Sequence, residues 1–531
     1  MTFLNQVISK VSPEWALKRE VAQAKLNAFN KLTAGSGYGN YGASYARKSL
    51  LGWLTSGKSA DEDIVDNLDT LRSRSRDLFM GAPIATAAVK AIRTNVVGSG
   101  LMLNAKIDAD FLGLTPEQAR EWERAAEREW ELWAESVDCD AERRQNFYQL
   151  EALAILSAVM SGDVFVAMPM IRRPGSVYDL RIGLIEADRV CNPETILPQA
   201  DANILGGVEI GEYGEPLAYW IAKHNPHSSL RDIKNWHNEW KRVPAFGKRT
   251  GRRNILHLMA DVERPAQRRG VPMLAPVIES LKQLGRYTEA ELMAAVIAGM
   301  FTVFVTSNTP EGPFNGAFAS DEKLDKDPNS YELGNGAILG LKPGEQISTA
   351  NPGRPIAGYH DFVVAITQQI GAALEIPCEV LLKQFTASYS ASRGALLEAW
   401  KMFRMRREWL VGGFCQPIYE EWLTEAVLKG RIQAPGFFDD PAIRKAWCGA
   451  EWFGDCQGQL DPLKEANAAK VRVEEGFSSR SREAAELTGG KWEDIHATRK
   501  REEEMRRADG LTPGAAQPAP VPVKNGDDDD E

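Results

Sequence analysis

Between Gly358 and Leu428 the apolar positions keep a helical period, lose it, and regain it. Phe362, Ile366, Ile370 and Ala373 fall at i, i+4, i+8 and i+11, one face of a helix. Pro377 ends that helix, because its ring nitrogen has no proton to donate. Gln384 to Ala391, QFTASYSA, shows neither a stripe nor a charge. Ser392, a good N-cap residue, then precedes Leu396, Trp400, Phe403, Leu410, Phe414 and Ile418, which hold the helical spacing to about Leu428. A continuous helix over that span, about 37 residues, would be roughly 55 Å long. Gly412, Gly413 and Pro417 are the positions at which it would kink.

Elsewhere the pattern alternates between helix and strand in blocks. Pro83 opens a small-residue helix carrying Ile84, Ala87, Ala88, Ala91 and Ile92 and closing near Gly98. Thr115-Pro116-Glu117-Gln118 is a capping box with Pro at N1. Ala119, Trp122, Ala126, Trp130 and Trp133 mark the buried face of the helix that follows it. Strands are predicted at Val164 to Met168, Leu180 to Ile185, Val208 to Ile210, Leu217 to Ala222 and Ile255 to Met259, with Gly and Pro turns between them. A helix at 271–299 runs into a strand at Phe301 to Val305. Ala337 to Leu341 and Gln346 to Thr349 form a second strand pair, joined by Lys342-Pro343-Gly344-Glu345 as a type II turn. The fold class is therefore α+β, mainly α, with antiparallel strands; the absence of βαβ alternation excludes a doubly wound nucleotide-binding sheet.

Length and charge narrow the function. A chain of 531 residues exceeds one compact core, so two to four domains are expected. The net charge of −10 excludes a protein that grips nucleic acid over its whole surface, since that needs many phosphate-neutralising cations. Six cysteines without CxxC spacing point to a reducing compartment and no structural zinc. The first residues lack a secretory h-region, and the longest apolar run, Leu292 to Val305, is too short to span a bilayer. Residues 31–60, rich in Gly, Ser and Tyr, read as a flexible arm, and the Pro/Ala-rich, acid-ended segment after Leu511 as disordered.

Candidate chemistry is sparse. Gly52 to Ser59, GWLTSGKS, matches the phosphate-binding loop pattern literally, but no aliphatic strand precedes it and acidic residues follow. His224, His227 and His237 have no accompanying Cys or HExxH and read as a polar loop, with no metal expected. Ser388, Ser390 and Ser392 with His360 lack a nucleophile elbow. Two basic clusters remain: Lys241 to Arg253, and Arg393, Lys401, Arg404, Arg406 and Arg407 on the long helix, candidates for contact with DNA or with another subunit.

In their order and spacing, several segments resemble the portal proteins of lambda-like tailed bacteriophages. They are Asn95-Val96-Val97-Gly98-Ser99-Gly100-Leu101, Arg264-Pro265-Ala266-Gln267-Arg268-Arg269-Gly270-Val271-Pro272, Leu341-Lys342-Pro343-Gly344-Glu345, Ile376-Pro377 through Tyr389, Ser392 and Arg393, and Asp461-Pro462-Leu463-Lys464-Glu465-Ala466. The resemblance covers most of the chain. It implies a non-enzymatic subunit, without cofactor, of a twelve-membered ring at one capsid vertex. Double-stranded DNA passes through the ring, and the terminase large subunit and the capsid, scaffold and head-tail joining proteins dock on it. It further implies a flexible arm at 1–60, a wing at 61–270, a first stem helix at 271–299 and a clip at 300–357. A second stem helix at 358–383, a tunnel loop at 384–392, a long helix from wing to crown at 393–490 and a C-terminal helix with an acidic tail at 491–531 would follow. The tunnel loop would be Gln384, Phe385, Thr386, Ala387, Ser388, Tyr389, Ser390 and Ala391, with Arg393, Lys401, Arg404 and Arg407 as DNA or subunit contacts. Such a protein belongs in the virion after assembly in the host cytoplasm, with no membrane partner.

The residues agree with that expectation on physical grounds. A conduit for DNA of any sequence must avoid base readout and must not hold phosphates tightly, because each neutralised phosphate adds a salt-dependent attraction that resists sliding. An acidic chain with an uncharged polar loop meets both conditions. Two rival readings remain open at this point: a P-loop NTPase using Gly52 to Ser59, and a toroidal scaffold that carries no DNA.

Overall fold

The computed structural model describes residues 60–193, 203–228, 239–299, 303–307, 345–349, 358–385, 388–458 and 461–511, with scattered residues before residue 60. The chain divides into two compact units, Met1–Ser59 and Ala60–Glu531. In the first, described residues of 55–59 are exposed coil, and the element named is a 3₁₀ turn at Lys48–Leu50. Gly52 and Leu54 of the GWLTSGKS segment lie outside the described residues, as does much of the expected arm.

The second unit begins with helices α1 (Ala60–Gly81) and α2 (Pro83–Val96). Strand β1 (Met102–Ala105) follows, then α3 (Pro116–Ala134) and α4 (Phe147–Ser161). The capping box expected at Thr115 is present: its hydroxyl accepts from the Gln118 N–H while the Gln118 side chain accepts from the Thr115 N–H. The tryptophan stripe is core. Trp130 sits edge-on to Trp422 at 5.2 Å, Tyr419 at 5.7 Å and Phe147 at 4.9 Å, so one indole joins three helices.

Strands β2 (Asp163–Ala167), β3 (Gly183–Ile185), β4 (Ile204–Leu205), β5 (Val208–Ile210), β6 (Pro216–Ala222), β7 (Trp240–Pro244) and β8 (Ile255–Met259) build two antiparallel sheets, ordered β3-β2-β8 and β4-β5-β6-β7. The strand expected over Leu180 to Ile185 is shortened to β3, with Leu180 and Ile182 making isolated bridges instead. The four-stranded sheet packs a small separate core of Phe165, Val190, Val208, Tyr219, Ile221, Ala245 and Ile255.

Helix α5 (Ile278–Gly299) starts later than residue 271, because Pro276 sets a 3₁₀ turn, Ala275–Val277, ahead of it. Strand β9 (Val303–Ser307) pairs antiparallel with β10 (Glu345–Thr349). The expected strand at Ala337 to Leu341 and most of its turn lie outside the described residues. Helix α6 (Tyr359–Ala373) returns alongside α5: Tyr359 stacks on Tyr287 at 5.7 Å, and the helix also touches the Ala275–Val277 turn. Helices α7 (Tyr389–Leu410) and α8 (Gln416–Leu428) come next, then α9 (Pro441–Trp447), β11 (Ala450–Phe453), α10 (Pro462–Glu474), α11 (Arg480–Thr488) and α12 (Trp492–Ala508). Strand β11 pairs with β1, Leu103 opposite Trp452, which draws distant parts of the chain together. No described helix is long and apolar enough to cross a membrane.

A buried ionic knot locates α1 on the sheet. Asp163 is fully buried and accepts from Arg72 at 2.8 Å, from Arg269 at 2.7 Å and from the Gly270 N–H at 3.1 Å; His257 lies 3.2 Å away. The two guanidiniums hold the Asp163 carboxyl well below the usual range against the opposing effect of burial. Arg269 belongs to the Arg264 to Pro272 segment, and its neighbours Arg264 and Arg268 pair with Asp63 and Asp61 at the start of α1. Gly270 and Gly162 complete the joint. A Cβ on Gly162, whose φ is +92°, would stand 2.3 Å from the Gly270 carbonyl oxygen.

Candidate nucleic-acid interface

The segment singled out by its interrupted period is helix, turn, loop and helix, as expected, with shifted joints. After α6 the chain turns at Glu375 (φ +57°) and passes through Ile376-Pro377 into a short helix, Cys378–Leu382. The Ile376 N–H donates to the Gly371 carbonyl at 2.9 Å, and a Cβ on Gly371 would stand 2.5 Å from the Ile376 carbonyl oxygen, so only glycine fits there. Lys383 (φ +55°) closes the short helix in the left-handed conformation.

The loop is shorter than the sequence pattern indicates. Ser388, not Ser392, is the N-cap: its hydroxyl accepts from the Ala391 N–H, and α7 begins at Tyr389. Tyr389, Ser390 and Ala391 form the first helical turn, and Ser392 is buried inside the helix. The apolar stripe starts only at Leu396, and for that reason the sequence misplaces the start by one turn. Gln384, Phe385, Ser388, Tyr389, Ser390 and Ala391 are all exposed, while Thr386 and Ala387 lie outside the described residues. Phe385 and Lys383 rim a cleft against α2, whose Ala87, Lys90 and Thr94 form the opposite side.

The long helix continues through Gly412-Gly413 without a break in its winding. The expected kink takes the form of a π-helical turn, Val411–Cys415, joining α7 to α8. This turn is held from outside. The Cys415 thiol lies 3.3 Å from one oxygen of the Glu151 carboxyl, whose other oxygen accepts from the Leu101 N–H at 2.9 Å. Burial without a cationic partner raises Glu151 to about 8.

The basic residues of α7 do not act as one patch. Arg407 donates to the Val96 carbonyl at 2.8 Å, the Asn95 carbonyl at 3.0 Å and the Asp455 carbonyl at 2.9 Å, with its guanidinium over the Trp400 ring. It satisfies the orphan carbonyls at the end of α2, and these three bonds commit its Nε and Nη2 donors to the backbone. Arg406 is buried against Asp261. Arg393 pairs with Glu465 of α10, and Lys401 with Glu398 at 2.6 Å. Arg404 is exposed and has no acidic partner among the described residues. In the other cluster, Arg242 pairs with Glu209 and Arg252 with Glu421, so two of its cations also serve intrachain contacts.

Rival sites do not assemble. Among the described residues no group of His, Cys, Asp or Glu has a metal-binding arrangement; His224 and His227 lie in a surface loop, and His237 lies outside the described residues. The six cysteines are free. What sequence reasoning missed is the grip on the Asn95 to Leu101 segment by Arg407, Glu151 and Asp455, the last accepting from the Ser99 N–H at 3.1 Å. The signal was present in the two glycines: Gly98 (φ +62°) and Gly100 (φ +128°) adopt backbone angles that other residues rarely tolerate.

Comparison with known proteins bears on the whole chain. Residues 47–407, about two thirds of it, match the model for "Phage portal protein, lambda family". The portal protein of Escherichia phage N15 is 25% identical over 500 residues, covering 90% of this chain and 92% of that protein. Portal protein B of Escherichia phage lambda is 24% identical over 501 residues, covering 91% and 90%. Among solved structures, a chain from the neck of the native GTA particle, computed with C12 symmetry, aligns with a TM-score of 0.41 at 14% identity over 79% of this chain and 92% of that one. The chain accordingly belongs to the lambda family of phage portal proteins.

Proposed function

We propose that this protein is the repeating subunit of a ring of twelve at one capsid vertex, the conduit by which double-stranded DNA enters during packaging and leaves at ejection. The observation that carries this reading is the match across nine tenths of the chain to two proteins named as portals, spanning a like share of their own lengths. The protein is structural, and ATP hydrolysis for packaging comes from a separate terminase whose large subunit docks on the ring, as do capsid, scaffold and head-tail joining proteins. It is assembled in the host cytoplasm and resides in the virion. In this reading residues 61–270 form the wing, 271–299 and 358–383 the stem helices, 300–357 the clip, 384–392 the tunnel loop, 393–490 the passage from wing to crown, and 491–531 a C-terminal helix and acidic tail.

Surface chemistry supports a ring. Leu292, Met293 and Val296 on α5 and Phe362 on α6 are exposed in the single chain, and paired helices with apolar outer faces pack against copies of themselves. The loop from Gln384 to Ala391 faces the passing DNA with hydroxyl, amide and aromatic groups and no charge, so it contacts duplex of any sequence without holding phosphates. Among the basic residues of α7, Arg404 is the one free to meet DNA or a neighbouring subunit; Arg393 and Lys401 meet either only by exchanging partners.

Electron microscopy of the purified protein tests the proposal. The expected image is a closed ring whose opening admits duplex DNA, and a ring too narrow for duplex in every state would refute it. ATP hydrolysis abolished by Lys58→Ala would favour the P-loop reading instead.

A further inference from the structure

A second binding surface lies beside the loop. A cleft of about 1,530 Å³ runs between α7, β11 and the C-terminal helices α10 and α11. Tyr389, Trp400 and Trp452 supply aromatic surface, and Arg393, Arg404, Lys464 and Arg482 bring cations to it. Lys106, Arg407 and Arg472 also line it, against Glu408, Glu451, Asp455, Glu465 and Glu486, so cations outnumber carboxylates seven to five. Arg404 has no acidic partner among the described residues. The pairs Arg482–Glu486, Lys464–Asp461 and Lys106–Glu451 are surface pairs, with cation side chains 70%, 78% and 64% exposed. Exposed pairs of this kind contribute about 0–1 kcal/mol each and re-form readily around a stronger anion.

The chain supplies such an anion. Asp527 to Glu531 is a run of five carboxylates, the densest negative charge in the sequence, within residues 512–531 that the structure does not describe. The intervening chain is long enough to span the distance to the cleft. Helix α11 lines the cleft, α12 packs on α11, and α12 is about 25 Å long at 1.5 Å per residue. From Leu511, the 16 steps to Asp527 extend up to about 53 Å at roughly 3.3 Å each. The return distance is therefore covered about twice over.

We infer that the acidic segment Asp527 to Glu531 docks in the cleft between α7 and the C-terminal helices, closing onto Arg404, Lys464 and Arg482. The docked segment neutralises the cationic surface next to the loop, which keeps that surface from gripping the phosphates of passing DNA. Docking itself does not depend on DNA, so its test stands or fails apart from the conduit.

Zero-length carbodiimide coupling on the full-length protein, read by mass spectrometry, joins a carboxylate to an amine only where the two are in contact. The expected result is coupling of the side chains of Asp527 to Glu531 with Lys464 or Lys106, absent when Asp527 to Asp530 are all changed to Asn and Glu531 to Gln. Arg404→Glu should lower that coupling about fivefold, the equivalent of about 1 kcal/mol for one reversed surface charge. The internal coupling Lys106–Glu451, which joins segments far apart in the chain, reports that the cleft is folded in every variant. Internal coupling intact with no product linking the acidic segment to the cleft overturns the proposal. So does protection of the cleft lysines by added duplex DNA in a protein whose acidic segment never couples to them, since the cleft is then a DNA site.

Discussion

Replacing Glu151 by Gln should change how stability depends on pH more than it changes stability at pH 5. The carboxyl is fully buried between α4, the Leu101 backbone and the π-helical turn, and it titrates at about 8 instead of its ordinary 4.5. The native state therefore binds this proton more tightly than the unfolded chain does. Stability from the protonated group is fully present below about 4.5 and is lost as pH rises to about 8. At about 1.4 kcal/mol per pH unit, that interval amounts to about 5 kcal/mol, an upper figure because water entering an opened turn would soften it. The groups facing Glu151 titrate higher: burial lifts Tyr148 to about 12 and pushes Cys415 upward too. Glutamine keeps the oxygen that accepts from Leu101 and cannot ionise. Urea denaturation of both proteins from pH 5 to pH 9 should give curves that lie close at the acid end. They should separate by up to about 1.4 kcal/mol per unit as pH rises, with the variant the more stable, and level off above pH 8. Contributions from Asp163 and His257 are common to both proteins and cancel in the difference. A stability difference that stays constant across the range would refute the reasoning.

Arg407→Ala removes three charge-assisted hydrogen bonds to carbonyls and should cost about 2–4 kcal/mol in urea denaturation, whereas Arg404→Ala should stay within about 0.5 kcal/mol; equal effects would contradict the division of roles. Gly162→Ala meets both a positive φ and the Gly270 carbonyl and should destabilise by about 2 kcal/mol or more, seen as a lowered Tm. Asp163→Asn leaves Arg72 and Arg269 buried without their counter-charge and should cost about 3–5 kcal/mol at neutral pH. That difference should shrink as acid protonates Asp163 in the native state, because its depressed titration gives stability that is lost as pH falls. If the loop also hinders backward slippage of the duplex, shortening Thr386 to Ser390 should impair retention of packaged DNA, and unchanged packaging and retention would remove that role.

The elements read most reliably from the sequence were those whose own residues define them. The capping box at Thr115, the tryptophan face of α3 and strands β2, β5, β6 and β8 needed only period and local hydrogen bonding, and they stand where the pattern places them. The start of α7 was misplaced because Tyr389, Ser390 and Ala391 carry no apolar stripe, and the helix there rests on the Ser388 cap alone. The π-helical turn was legible only as a weak point at Gly412-Gly413 and Pro417, and the contact of its Cys415 with Glu151, far away in the sequence, has no local signal. The basic cluster on α7 was illegible for the same reason. Arg404 and Arg407 are alike in a sequence, and only the arrival of Asn95, Val96 and Asp455 beside one of them separates a structural clamp from an exposed charge.

That separation bears on how a conduit can be rigid in its frame and weak in its grip. The described residues of the segment from Gln384 to Ala391 are exposed, but both of its anchors are fixed: the turn at Ile376-Pro377 by the tight Gly371 contact, and α7 by the Arg407 clamp and the Glu151 contact at its far end. Strong interactions, buried charge and three-way hydrogen bonding are thus placed outside the loop itself, where they hold one helix against three other segments of the chain. The described loop residues carry no charge at all. A chain that reversed this assignment, with a free arginine fork at the loop and an apolar contact at position 407, would hold DNA tightly through bidentate phosphate pairs and would position the loop loosely. Gln384→Arg tests the principle directly, because that exposed side chain caps no helix. The expected outcome is slower passage of DNA at low salt that recovers as salt rises, and passage indifferent to salt would show that the neutrality of the loop has no bearing on sliding.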